Sequence, residues 1–104
     1  MATKRLSPVH PGNILLHDFM APNGLSSYRV AKDLGVSPPS INEIVRGKRA
    51  VTAEMAIRFA RYFGTSAQVW MNLQSQYDLE LADAKIGKQV QKRVQPTERA
   101  KQVA

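Results

Sequence analysis

The sequence predicts an all-α domain, and three observations carry that expectation. Apolar residues recur at intervals of three and four along most of the chain, and no run alternates with the period of two that a strand needs. Ser, Thr, Gly and Pro punctuate the periodic stretches where helices begin and end. With 104 residues, 43% of them hydrophobic, the chain is long enough for one domain with a small core of mixed aliphatic, aromatic and methionine side chains.

Five helices follow in order. Residues 1 to 9 read as a flexible lead-in. His10-Pro11-Gly12 opens the first helix, whose apolar positions are Leu15, Leu16, Phe19 and Met20, and Pro22 with Gly24 closes it. The second runs from Ser27 to Leu34, with Val30 and Leu34 one turn apart. The third runs from Pro38 to Val45, with Ser37 as a capping residue, Pro38 at the first position, and Ile41 with Ile44 facing the core. Gly47 ends it and a basic loop, Lys48-Arg49, follows. Thr52 caps the fourth helix, which carries Met55, Ala56, Phe59, Ala60 and Phe63 on one side and stops at Gly64. Ser66 caps the fifth, where Trp70, Leu73, Tyr77 and Leu81 fall on one face. The helical domain is expected over residues 10 to 84. Ile86, Val90 and Val94 are spaced to extend a helix, but Gly87 and Pro96 oppose a long one, so residues 85 to 104 read as a solvated, flexible basic tail.

The second and third helices form a more specific pattern. Over residues 27 to 46, Ala31 stands where two helices cross closely, Gly35 takes the left-handed conformation that ends the first sharply, and Val36 plugs the corner. Seven positions agree in register with a helix-turn-helix DNA reader. The charge agrees too: +7 overall, with a pI near 10.2, which calls for a polyanionic partner. It is unevenly placed. Through Asp83 nine Lys and Arg oppose seven Asp and Glu, a net of +2; beyond it Lys85, Lys88, Lys92, Arg93, Arg99 and Lys101 oppose only Glu98, a net of +5.

Other classes find no support. The absence of cysteine removes disulfide, zinc-finger and thiol-nucleophile chemistry. No stretch approaches the roughly 20 apolar residues of a membrane span, and Lys4-Arg5 lacks the apolar run that follows in a signal peptide. A soluble cytoplasmic, nucleoid-associated protein without a membrane partner is expected. His10 and His17, the only histidines, lie seven apart with Asp18 beside the second, but His10 sits at a helix start before Pro11, a poor geometry for a shared metal. Asp78, Glu80 and Asp83 read as a solvated helix face. With no phosphate loop or nucleophile–base pair, neither enzyme, metal nor cofactor is expected.

The reader sits within a longer series of motifs. His10-Pro11-Gly12, Gly24-Leu25-Ser26, Ser40-Ile41-Asn42-Glu43-Ile44-Val45-Arg46-Gly47, Ala60-Arg61-Tyr62-Phe63-Gly64-Thr65-Ser66 and Trp70-Met71-Asn72-Leu73-Gln74 together resemble the HigA/VapI antitoxin family, a branch of the phage-repressor-like helix-turn-helix proteins. The resemblance covers about residues 10 to 83. It implies a five-helix, lambda-repressor-like DNA-binding fold, a homodimer that represses its own operon, and a HigB-type, RelE-like mRNA-cleaving toxin as the protein partner.

In such a reader the second helix enters the major groove while flanking groups hold phosphates. Its outward positions are Pro38, Pro39, Ser40, Asn42, Glu43 and Arg46. Asn42 suits adenine, Glu43 a cytosine amino group or an ion pair with Arg46 or Arg49, and Arg46 guanine or phosphate. Pro38 and Pro39 depart from phage-type readers, which often place polar side chains there; prolines donate no hydrogen bond and at best press on a thymine methyl. Ser27, Ser37, Lys48 and Arg49 are phosphate candidates. Trp70 and Tyr77 read as core or as a dimer seam, with Met71, Leu79 and Leu81 as possible dimer contacts. Two alternatives stay open: a solitary repressor without a toxin, and a helical protein-binding module that no longer touches its double-stranded operator DNA.

Overall fold

A computed structural model describes residues 7 to 103, so the first six residues of the expected lead-in lie outside the described part. The regular elements are α1 (Pro11–Ile14), α2 (Ser27–Leu34), α3 (Pro38–Val45), α4 (Ala53–Phe63), α5 (Ala67–Arg93) and a short α6 (Glu98–Val103). The bounds of α2 and α3 are those that caps and apolar spacing predict. Thr52 and Ser66 cap α4 and α5, each hydroxyl accepting from the amide three residues on, at 3.2 Å from Met55 and 3.1 Å from Val69.

Ser26, just before the expected start of α2, caps it with its Oγ accepting from the Arg29 amide at 3.1 Å. One cap differs from expectation. Ser37 precedes α3 but makes no side-chain cap. Pro38 and Pro39 carry no amide hydrogen, so the first turn has fewer donors to satisfy. The Ser40 amide donates to the Ser37 carbonyl at 3.0 Å, and the two serine hydroxyls meet at 2.7 Å.

The first helix is also less regular than its apolar spacing suggests. His10 caps α1, its Nδ1 accepting from the Gly12 amide at 2.8 Å. After Ile14 the chain widens into a π-helical stretch, Leu15–Met20, and tightens into a 3₁₀ turn, Ala21–Asn23, that ends at Gly24. The Ala21 amide donates to the Leu16 carbonyl five residues back. In that wider turn residues five apart come to the same side, and Leu15 and Met20 are both buried.

The core gathers Val30, Ala31 and Leu34 from α2, Ile41 and Ile44 from α3, Ala56 and Phe59 from α4, and Trp70 from α5. Ala31 is fully buried at the α2–α3 crossing, and Gly35, at φ 75°, turns the chain between them. Trp70 lies with its ring 4.9 Å from Phe59 and 5.3 Å from Phe19, and its indole N–H donates to Thr65 Oγ1 at 2.8 Å. Trp70 is therefore core. The inward stripe of α5 fades at the half-buried Tyr77, and Leu81 is exposed.

The largest departure is at the C-terminal end. Where a flexible tail is expected from Lys85 onward, α5 continues to Arg93, and its 27 residues make a helix about 40 Å long. Gly87 costs only about 1 kcal/mol relative to alanine, and a helix already nucleated propagates through it. Pro96 falls beyond the helix end at Val94 and does not interrupt it. The solvated and basic parts of the expectation hold: Lys85, Lys88, Lys92, Arg93 and Arg99 are all exposed.

Candidate nucleic-acid interface

The candidate reading surface is α3 with the loop that follows it. Because Ile41 and Ile44 are fully buried, the opposite side of the eight-residue helix faces solvent. Pro38, Pro39, Asn42 and Arg46 are exposed there, and Ser40 and Glu43 are half-buried. Arg46 stands at the C-terminal cap, so the solvent face runs from the two prolines past Asn42 to a cation. The side chains of Asn42, Arg46 and Lys48 have no hydrogen-bond or ion-pair partner among the described residues. The Ser37 and Ser40 hydroxyls, by contrast, are occupied with each other.

The loop folds back along the helix. The Gly47 amide donates to Ile44 at 2.9 Å and the Lys48 amide to Glu43 at 2.8 Å, which brings Lys48 and Arg49 beside the end of α3. Arg49 then closes onto the helix, its Nε and Nη2 donating to Glu43 Oε1 at 2.8 and 2.6 Å. Of the two partners sequence offered for Glu43 within the protein, the structure selects Arg49. Both side chains are about half exposed, so this pair contributes no more than about 1 kcal/mol and opens cheaply. The surface thus presents an amide, Asn42, and three cations, Arg46, Lys48 and Arg49, one of them held by Glu43.

Three residues that sequence reasoning did not assign to the site fix this surface from behind. A Cβ on Gly12 would lie 1.7 Å from the Ile44 carbonyl oxygen, so only glycine lets α1 sit this close to α3. His10 sets its ring against the loop, its atoms 3.7 to 4.0 Å from where a side chain on Gly47 would begin, and edge-on to Tyr77 with centroids 4.8 Å apart. Burial holds this imidazole below its ordinary value, against upward pulls from a hydrogen bond with the Arg49 backbone and from Asp78. Gln74, the one buried polar residue described, accepts from the Val51 amide at 2.8 Å and donates to Asp78 at 2.9 Å. The His10-Pro11-Gly12 triplet was the visible trace of the first two, and Gln74 closes the Trp70-Met71-Asn72-Leu73-Gln74 motif, though neither pattern reports the contacts.

A second set of contacts braces α2 on α4. Tyr62 O–H and Arg29 Nε both donate to Asp33 Oδ2, the latter at 2.9 Å, and Arg58 Nη1 donates to the Leu34 carbonyl at 2.8 Å. The Tyr62 hydroxyl, then the Arg29 guanidinium, hold the Asp33 carboxyl below the usual carboxylate range. Asp33 in turn raises Tyr62. The remaining sequence candidates are spread out. Ser27 is half-buried as the first residue of α2, Met71 packs against the domain's own core, and Leu79 and Leu81 face solvent. No helix among the described residues is long and apolar enough to cross a membrane.

Comparison with known proteins agrees with this geometry. A family model described as helix-turn-helix matches residues 16 to 70, more than half of the chain. Virulence-associated protein I of Dichelobacter nodosus is 52% identical over 75 residues, covering 72% of this chain and 69% of its own. Antitoxin HigA-1 of Vibrio cholerae is 34% identical over 77 residues, covering 74% and 71%. The solved structure of Pseudomonas aeruginosa antitoxin HigA with the higBA promoter superposes with a TM-score of 0.84 at 49% identity, across 86% of this chain and 97% of that one. The chain belongs to the Xre-type helix-turn-helix family, in the branch that holds virulence-associated protein I and the HigA antitoxins.

Proposed function

We propose that this chain is the antitoxin of a toxin–antitoxin module, a cytoplasmic protein that represses its own operon and neutralises a HigB/RelE-like mRNA-cleaving toxin. One observation carries the DNA half of this reading: α3 exposes Asn42 and Arg46 without internal partners, beside Lys48 and Arg49, on a helix whose other face is locked into the core. The structural likeness extends to a HigA solved with its promoter and supports the same conclusion. Asn42 is assigned to a base edge, Arg46 to a base or a phosphate, and Lys48 and Arg49 to phosphates. The exposed Pro38 and Pro39 contribute shape and apolar contact in the first turn. Ser37 and Ser40 share one hydrogen bond, so one of the two hydroxyls keeps its proton for a phosphate, and Glu43, held by Arg49 through Oε1, keeps Oε2 as an acceptor. Ser27 remains a weaker phosphate candidate, since Ser26 holds the cap position at the start of α2.

Two subunits are required, because one such helix reads too few base pairs to specify a site. The candidate seam is the outer face of α5. Leu79, Ile86 and Val90, at spacings of seven and four, are exposed on one side of that helix, and a groove adjoins them in which Val9, Ile14, Leu73 and Leu79 are rimmed by polar side chains that include Glu80 and Asp83. Lys85, Lys88 and Lys92, at spacings of three and four, fall on the other side and remain free to approach phosphates as an electrostatic arm. Leu81 lies off the apolar stripe and Met71 is tied to its own core.

Co-expression with the adjacent reading frame tests the toxin half: the neighbour should arrest growth alone, and this chain should relieve the arrest and co-purify with it. A neighbour that is harmless, or not retained, leaves a solitary repressor. Asn42→Ala should relax sequence preference at one base position, costing about 1–3 kcal/mol there, whereas Lys48→Ala should weaken all DNA alike and lower the salt slope by about one. Equal, uniform losses in a binding titration against operator and scrambled duplexes would remove Asn42 from the base edge. Leu79→Lys combined with Ile86→Lys should turn a dimer into a folded monomer in sedimentation equilibrium, and an unchanged dimer would place the seam elsewhere.

A further inference from the structure

His10 lies outside the reading helix, yet it touches α1, α5 and the loop that follows α3. Its Nδ1 accepts from the Gly12 amide at 2.8 Å, and Gly12 is the residue that α1 presses against the Ile44 carbonyl. One side of the ring covers Gly47, its edge meets Tyr77 at 4.8 Å, and it is in polar contact with the backbone of Arg49. The loop residues in that cage are neighbours of Arg46, Lys48 and Arg49, the cations assigned to DNA.

We propose that His10 is a positioning residue for operator binding, a clamp that holds the loop after α3 in its DNA-binding shape only while the imidazole is neutral. The proposal rests on the DNA-binding reading above. A neutral ring with Nδ1 as acceptor carries its proton on Nε2. Protonation puts a second N–H opposite the Gly12 amide, so the α1 cap becomes a donor facing a donor and the ring must turn. Turning withdraws it from Gly47, Tyr77 and Arg49 together.

Burial and the groups around the ring together set the direction of the effect. Asp78 from α5 favours the imidazolium, Tyr77 presents an aromatic edge, and the loop brings Arg49, whose guanidinium is neutralised by Glu43 of α3. Burial outweighs the upward pulls of the Arg49 backbone and of Asp78 and leaves the imidazole below its ordinary value near 6.5. The folded state therefore binds fewer protons than the unfolded chain. The stabilisation is complete above about pH 6.5 and is lost as the pH falls through the folded-state value.

Linkage makes the test two-sided, since a clamp that must be neutral to bind DNA is kept neutral by DNA. At fixed salt, affinity for a duplex of the protein's own upstream region should fall from its pH 7.5 value by up to about fivefold as the pH is lowered through the folded-state midpoint of His10, the factor that loss of one helix cap represents. Circular dichroism at each pH separates this from unfolding. His10→Asn keeps a capping oxygen but does not titrate, so its affinity should be flat across that range; the exposed His17→Gln should behave as wild type. A second readout needs no variant: by NMR, the titration midpoint of the His10 ring should move down when the duplex is bound, against the upward pull that phosphates exert on any nearby histidine. A midpoint that is unmoved or raised, or a pH dependence that persists in His10→Asn, would overturn the proposal. Failure of the wild-type protein to bind the duplex at pH 7.5 would instead overturn the DNA-binding reading, and the clamp with it.

Discussion

The structure depends on one close approach. At Gly12 the first turn of α1 comes so near the Ile44 carbonyl that a Cβ has no place to go, being 1.7 Å from the oxygen. That contact seats α1 on the end of α3, and its neighbours gain their positions from it: His10 reaches the loop at Gly47, and Pro11 is buried beside it. The helix that carries the candidate base-reading residues is thereby held at its C-terminal end by α1. At its start it is held by α2, through the Gly35–Val36 turn and the fully buried Ala31.

A DNA reader needs such bracing because its contacts are few. A base-edge hydrogen bond contributes its 1–3 kcal/mol or so only if the side chain arrives in register with the groove, and α3 has just eight residues with which to hold that register. Isolated helices of that length are marginal in water, so its stability comes from packing. Ile41 and Ile44 supply the packing, Gly12 and His10 fix its end, and Gln74 fixes the chain three residues past the Lys48–Arg49 loop start by binding Val51. The Tyr62–Asp33–Arg29 set and the Arg58–Leu34 bond tie α2 to α4, so the frame around α3 is closed on that side too.

What the sequence made legible was local. Ser, Thr, Pro and Gly mark helix ends by chemistry acting within three or four residues, and the bounds of α2 and α3, the Thr52 and Ser66 caps, and the core places of Val30, Ile41 and Trp70 follow from it. What escaped was either long-range or a balance of small terms. The Gly12–Ile44 approach and the Gln74–Val51 bond join residues more than 20 positions apart, and no spacing rule reports them. The π-helical stretch at Leu15–Met20 exists because the core needs both residues inward, which a four-residue repeat does not show. The penalty at Gly87 is real but smaller than the propagation of a helix fixed upstream, so α5 runs on to Arg93. Among the candidate site residues, Ser37, Ser40 and Glu43 are the hardest to read: no pattern announces the Ser37–Ser40 bond, and Arg49 is one of two partners that sequence offers Glu43.

The measurement that bears most directly on this account is made on Gly12→Ala, with operator affinity and amide hydrogen exchange read on the same sample. The added methyl forces α1 away from α3, so operator affinity should fall at least tenfold and the amides of Gly47, Lys48 and Val51 should lose protection. Those of Val30 and Ala31, held within the α2 core, should keep most of theirs, and the melting temperature should drop by several degrees, as an overpacking cost of about 1–3 kcal/mol predicts for a domain of this size. A variant with unchanged operator affinity and unchanged protection after α3 would contradict the claim that this contact sets the reading surface.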